Sequence, residues 1–147
     1  MLFHILDMAF AGLMIACAVS DHKKRTISNR LILALLILGA VHMAYDCYMG
    51  YSIFPYVFAI PLFMLCYMCW KNGAIGGGDV KLMTAICLYM GFWQAALAFG
   101  VSFAALLLRY WLIGSAHKRR QRRRIPFAPP LALGCIVTLG INYIWMI

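Results

Sequence analysis

The sequence contains no glutamate, so its acidic complement is four aspartates, Asp7, Asp21, Asp46 and Asp79. Any carboxylate chemistry has to come from these. It also lacks a polar stretch long enough to build a water-soluble domain. Short polar links separate long apolar runs, 65% of its 147 residues are hydrophobic, and the mean hydropathy is +0.87, well outside the range of soluble domains. No lysine or arginine precedes the first apolar run, which argues against a secretory signal peptide and for a span that stays in the membrane. Internal repeats are absent too, which removes the main sequence sign of a transporter built from two halves. Cys66-x-x-Cys69 has no second pair and no nearby histidine, so it reads as packing within an apolar run rather than as zinc or redox chemistry. His4, His22, His42 and His117 fall in different segments; that dispersion argues against a metal site, and no cofactor is implied.

What the chain does have is positive charge: 13 Lys and Arg residues against the four aspartates, for a net charge of +9. Such a balance can mark a nucleic-acid binder. Here, however, the basic clusters lie between apolar spans, as on the cytoplasmic side of membrane proteins, and nucleic acid is excluded as the expected partner. The apolar runs predict an all-α, polytopic membrane protein forming one membrane-embedded domain over residues 1–147. Six transmembrane helices are expected, at about 2–20, 31–49, 53–70, 79–90, 95–113 and 131–147. The first, third and fifth links with their flanks carry every Lys and Arg except Arg109. Those links are therefore expected to be cytoplasmic, which places both termini on the opposite face of the cytoplasmic (inner) membrane. The run Lys118 to Arg124 is expected to bind anionic lipid headgroups.

Proline and glycine punctuate the spans. Pro55 suits a first turn, and Pro61 predicts a kink partway along the third span. Gly91-Phe92-Trp93-Gln94 suggests a turn after the fourth segment, which is short: about 12 helical residues cover roughly 18 Å of a core about 30 Å thick. Either the helix continues through that turn, or its start lies below the membrane surface and draws the preceding glycine loop inward.

That glycine loop is Gly76-Gly77-Gly78, followed by Asp79. Asp21 ends the first span and Asp79 begins the fourth, so both fall at the same membrane face. Each alone could simply cap a helix. Together, in a partly dry site, they cannot both ionise easily, so one holds a proton while the other activates water. That division of labour can hydrolyse a peptide bond with neither metal nor covalent nucleophile. Glycines let a substrate backbone approach closely and let the chain take positive φ. Asp79 at a helix N-terminus and Asp21 near a helix C-terminus predict Asp79 as the charged base and Asp21 as the protonated acid. Lys81, two residues from Asp79, points away from it on a helix.

These residues resemble the prepilin peptidases, membrane aspartic proteases of the GxGD type. Gly76-Gly77-Gly78-Asp79-Val80-Lys81 is similar to their GxGD-x-K motif. Asp21-x3-Arg25-x-Ile27-x-Asn29 is similar to their other aspartate motif, with Ser28 where proline is common, and Ile125-Pro126-Phe127-Ala128-Pro129 is similar to a Pro-Phe-rich segment near the family's last helix. The resemblance implies Asp21 and Asp79 as the catalytic pair. Arg25, Asn29 and Lys81 are candidate supporting residues. The reaction it implies is removal of the short basic leader from type IV pilin-like precursors, after a glycine, at the cytoplasmic face. It implies the short, peptidase-only form, without the extra cytoplasmic segment linked to N-methylation. The competing expectation is a non-enzymatic membrane protein of pilus or secretion assembly, or a small proton-coupled transporter.

Overall fold

The computed structural model describes residues 2–24, 26–73, 76–114 and 128–145, and these fold as helices joined by short turns, with no strand among them. The order is α1 (Leu2–Lys24), α2 (Asn29–Tyr48), α3 (Phe54–Val57), α4 (Ala59–Lys71), α5 (Gly77–Gly114) and α6 (Ala128–Trp145). Arg25, His117, the basic run Lys118 to Arg124 and Ile125 to Phe127 lie outside the described residues, as does the side chain of Arg109.

Four segments are long and apolar enough to cross a membrane: His4–Lys24, Asn29–Tyr48, Phe54–Lys71 and Gly77–Leu108. In α6 the apolar stretch, Ala128–Asn142, is shorter. The chain is an all-helical, polytopic membrane protein. The count of six spans requires α5 to be divided in two and α6 to be included, whereas length and apolarity identify four. Ile5, Met8, Ile15, Leu33, Ile37, Leu97 and Phe103 are all exposed. Apolar side chains on both the inward and outward faces are what lipid demands, because a helix in hydrocarbon has no polar side to turn toward solvent.

Two breaks shape the bundle. Pro61 cannot donate to the carbonyl of Val57, one turn earlier, and its ring crowds that carbonyl. The helix accordingly ends at Val57 and resumes at Ala59, with Leu62 N–H bonding Phe58 O at 3.2 Å. The proline effect expected partway along the span thus appears near its start, because the disturbed bond is upstream of the ring. The second break is at Gly91, the single non-helical residue within α5, with φ 72° and ψ 171°. The predicted four-residue turn is therefore one residue, and the short fourth segment continues into the next as two arms, 77–90 and 92–114. A side chain at Gly91 would meet Pro55 Cβ at 3.2 Å in addition to the strain of a positive-φ region open essentially only to glycine, about 1–3 kcal/mol. Gly91→Ala is expected to lower the melting temperature in detergent. Gly100→Ala, which adds a methyl where nothing lies within 4 Å, is expected to leave it unchanged or raise it.

The core joins Phe10, Met14 and Cys17 of α1, Leu35 of α2, Leu82, Ala85, Ile86 and Tyr89 of the first arm, Ala95 and Ala98 of the second, and Leu131 and Cys135 of α6. Glycine permits the closest approaches. A Cβ at Gly39 would sit 3.3 Å from the backbone nitrogen of Tyr89, and one at Gly134 would overlap the Ala98 carbonyl oxygen and the Ser102 hydroxyl. Small residues at helix crossings are the usual means of association where lipid supplies no hydrophobic drive.

Candidate active site

Asp21 lies in the last turn of α1, which continues to Lys24; the polar link expected from Asp21 onward is helical as far as Lys24. Polarity marks where the hydrocarbon ends, while the helix runs on for as long as its backbone bonds are made. His22, Lys23 and Lys24 are exposed there, and the two lysines, as cations at a helix C-terminus, offset its partial negative charge. Asp21 itself is only 7% exposed, and its Oδ2 accepts a hydrogen bond of 3.0 Å from the Ala128 backbone N–H. Ala128 opens α6, earlier than the predicted start at 131. Pro129 and Pro130 occupy the first turn, where their missing N–H groups leave nothing unpaired. Of the first three residues of α6, Ala128 alone has an N–H to give, and it gives it to Asp21.

Asp79 is built by the start of α5. The Gly76 carbonyl accepts from Asp79 N at 3.0 Å and Val80 N at 3.3 Å, so Gly76 caps the helix and Asp79 stands in its first turn. The Gly76 N–H donates in return to the Asp79 carboxylate, the reciprocal half of a capping box. The half-buried Asp79 carboxylate lies within electrostatic reach of Asp21. The structure thus brings the two aspartates together across α1, α5 and α6.

The glycines differ from the expected loop free to take positive φ. Gly77 and Gly78 are helical, and positive φ among the described glycines occurs at Gly50, Gly73 and Gly91. Proximity is what requires glycine here. A Cβ at Gly76 would lie 2.9 Å from Asp79 Oδ2 and one at Gly77 3.0 Å from the Trp70 indole nitrogen, whereas one at Gly78 would make ordinary contact with Ile27 at 3.9 Å. Ile27 belongs to the first aspartate motif, so the two motifs pack on each other. Near the first motif, the Ser20 hydroxyl donates to the Thr26 carbonyl at 3.2 Å.

Lys81 points away from Asp79 and reaches Asn29 at the start of α2, with Nζ donating to Oδ1 at 3.4 Å. Both residues are exposed, so the contact is weak, worth up to about 1 kcal/mol. Lys81→Met and Asn29→Ala are each expected to slow substrate turnover by no more than about fivefold, measured as initial rates. Arg25 lies outside the described residues.

Sequence reasoning missed the α6 N-terminus and Trp70. Pro129-Pro130 did signal a helix start, but its position against Asp21 has no local signature. That contact reduces the asymmetry from which separate roles were expected: Asp21, in the last turn of α1, also meets the N-terminus of α6, so the helix ends by themselves do not assign acid and base.

Residues 8–113 match the model of the type IV leader peptidase family. The chain is 30% identical over 135 residues to the prepilin leader peptidase/N-methyltransferase of Bacillus subtilis (strain 168), covering 88% of this chain and 53% of the relative. It thus spans about half the length of that relative. No solved structure matches the chain significantly. With the family match extending over most of the sequence and including both aspartate-bearing segments, this chain belongs to the type IV leader peptidase family.

Proposed function

We propose that the protein is a membrane aspartic endopeptidase that cleaves the basic leader from type IV pilin-like precursors at the cytoplasmic face, with Asp21 and Asp79 activating the attacking water. The observation that carries this reading is the convergence of the two carboxylates at one end of the bundle, each accepting from a backbone N–H at a helix start. One carboxylate takes a proton from water as it attacks the scissile carbonyl, while the other, protonated, donates to the carbonyl oxygen; as the intermediate collapses, the first gives its proton to the leaving amine and the second recovers its own from the hydroxyl. Such a pair turns over with the total proton count unchanged, so it needs no external acid or base.

Exposed Lys23, Lys24, Lys71 and Lys81 lie at the helix ends flanking the pair, which supports a cytoplasmic orientation of this end in the cytoplasmic membrane and termini on the other side. The same lysines and the run Lys118 to Arg124 offer contacts to anionic lipid headgroups.

The test is to reconstitute the purified protein in liposomes with a full-length pilin-like precursor and follow the precursor by mass spectrometry. The expected product begins at the residue after the leader's terminal glycine, and it forms with wild type but with neither Asp21→Asn nor Asp79→Asn. An uncut precursor, or a cut that survives in both variants, overturns the reading.

A further inference from the structure

The two aspartates sit on helices that scarcely meet. α1 packs on α6 and α2, α5 packs on α6, α2, α4 and α3, and among the described residues α1 and α5 share no extended backbone interface. Something else has to set the separation of Asp21 and Asp79. The remaining two aspartates lie near the far end of the bundle: Asp7 is 14 positions before Asp21 on α1, about 21 Å along the axis, and Tyr89 is ten positions after Asp79 on α5, about 15 Å. There the two helices are joined directly. The Tyr89 hydroxyl donates to Asp7 Oδ1 at 2.8 Å, and the Tyr89 ring stacks on Phe10 of α1, with centroids 4.0 Å apart and planes within 8°.

Tyr89 is the largest fully buried side chain among the described residues, at 1% exposure, and neighbouring helices hold it in place. The His42 ring of α2 lies 4.4 Å from its ring. Gly39 brings the α2 backbone to within contact of the Tyr89 nitrogen. His42 Nδ1 stands 3.6 Å from Asp46, which accepts from the Tyr56 hydroxyl of α3. Tyr89 is thus held by α2 and reaches out to α1. We propose that Tyr89 and Asp7 form a positioning clamp for the reaction: by fixing α1 against the first arm of α5 at the far end, their bond sets the spacing of Asp21 and Asp79 at the near end. Neither residue touches substrate. In a bundle of stiff helices, a distal tie controls the opposite end because each rod transmits rotation as well as translation, and misplacing a catalytic group by about 1 Å can cost on the order of a hundredfold in rate.

The proposal rests on the peptidase reading and is tested by turnover in the reconstituted system. Tyr89→Phe keeps the stacking and the volume but removes the hydroxyl. Asp7→Leu removes the acceptor, and Asp7→Asn keeps an acceptor oxygen while losing the charge. The expected result is a fall in kcat of about tenfold to a hundredfold for Tyr89→Phe and Asp7→Leu, with KM unchanged. Asp7→Asn is expected to stay within about threefold of wild type, and the double variant Tyr89→Phe/Asp7→Leu to be no slower than the slower single, since both remove one bond. Rates are expressed per folded molecule, from the monodisperse fraction in detergent. Wild-type kcat in Tyr89→Phe, a loss in Asp7→Asn as large as in Asp7→Leu, multiplying losses in the double variant, or full recovery of kcat after correction for folded fraction would each overturn the clamp. An uncut precursor with wild-type protein would instead overturn the peptidase reading.

Discussion

Asp21→Asn and Asp79→Asn are each expected to lower the rate of leader cleavage by at least about 10³-fold, within the range that general acid–base groups contribute. Asparagine is nearly isosteric with aspartate, and its oxygen can accept the bonds now made. At position 21 it can still take the Ala128 N–H, and at position 79 the Gly76 N–H. The architecture is therefore preserved while the ability to bind and release a proton is lost. Under the proposed mechanism the carboxylates act as a unit, so the double variant is expected to be no worse than either single. Asp21→Ala is expected to be equally inactive but less stable, since it leaves the buried Ala128 N–H without its acceptor, a loss of about 1–3 kcal/mol. Precursor cleavage with thermal melting of the same samples separates these outcomes. A melting temperature for Asp21→Ala equal to that of Asp21→Asn would show that the Ala128 bond contributes nothing.

The second large effect is expected at Gly134→Ala. The added methyl would overlap the Ala98 carbonyl oxygen and the Ser102 hydroxyl. The hydroxyl can rotate away, although it is already bonded to the Ala98 carbonyl at 2.6 Å. The carbonyl cannot, because it belongs to the second arm of α5, so α5 and α6 must move apart. Overpacking a well-filled interior costs about 1–3 kcal/mol, and displacing backbone belongs at the upper end of that range. Against total stabilities of about 5–15 kcal/mol, this should lower the melting temperature clearly. Combining it with Ser102→Ala is expected to restore little, because the carbonyl remains. Gly140→Ala, on the same helix with nothing within 4 Å, is the control and is expected to be neutral. The Gly134 variant should also cleave more slowly per folded molecule, since α6 carries the Ala128 N–H to Asp21. A Gly134→Ala protein that melts with wild type would contradict the packing described here.

Much of this was legible in the sequence because it is local in nature. A run of apolar residues specifies a helix in lipid whatever its neighbours do, since every backbone group must be bonded within the segment. Pro61 and Gly91 announced breaks for the same reason, although the break near Pro61 falls upstream, at Phe58, and the turn at Gly91 occupies one residue. The motif aspartates were also identifiable, together with Lys81 pointing away from Asp79, which follows from helical geometry alone. The helix boundaries at Lys24 and Ala128 were not, because composition reports the edge of the hydrocarbon rather than the end of the hydrogen-bond ladder. Nor was the purpose of Gly76 and Gly77. Glycine is equally compatible with positive φ and with close contact, and only the neighbours Asp79 and Trp70 decide between them.

By itself, then, the sequence determined a helical membrane protein of the type IV leader peptidase family whose only carboxylates are four aspartates, two of them in ordered motifs. Hydropathy and motif spacing are properties of short stretches and survive without any knowledge of packing. Tertiary structure alone decided what each aspartate meets. Asp21 finds its donor 107 residues away at Ala128, Asp7 finds Tyr89 at a separation of 82, and Asp46 is engaged by Tyr56 of a different helix. Those partners are set by how helices cross, which depends on small residues such as Gly39 and Gly134 at the contact points, and no one-dimensional pattern encodes which crossing brings which side chain within reach.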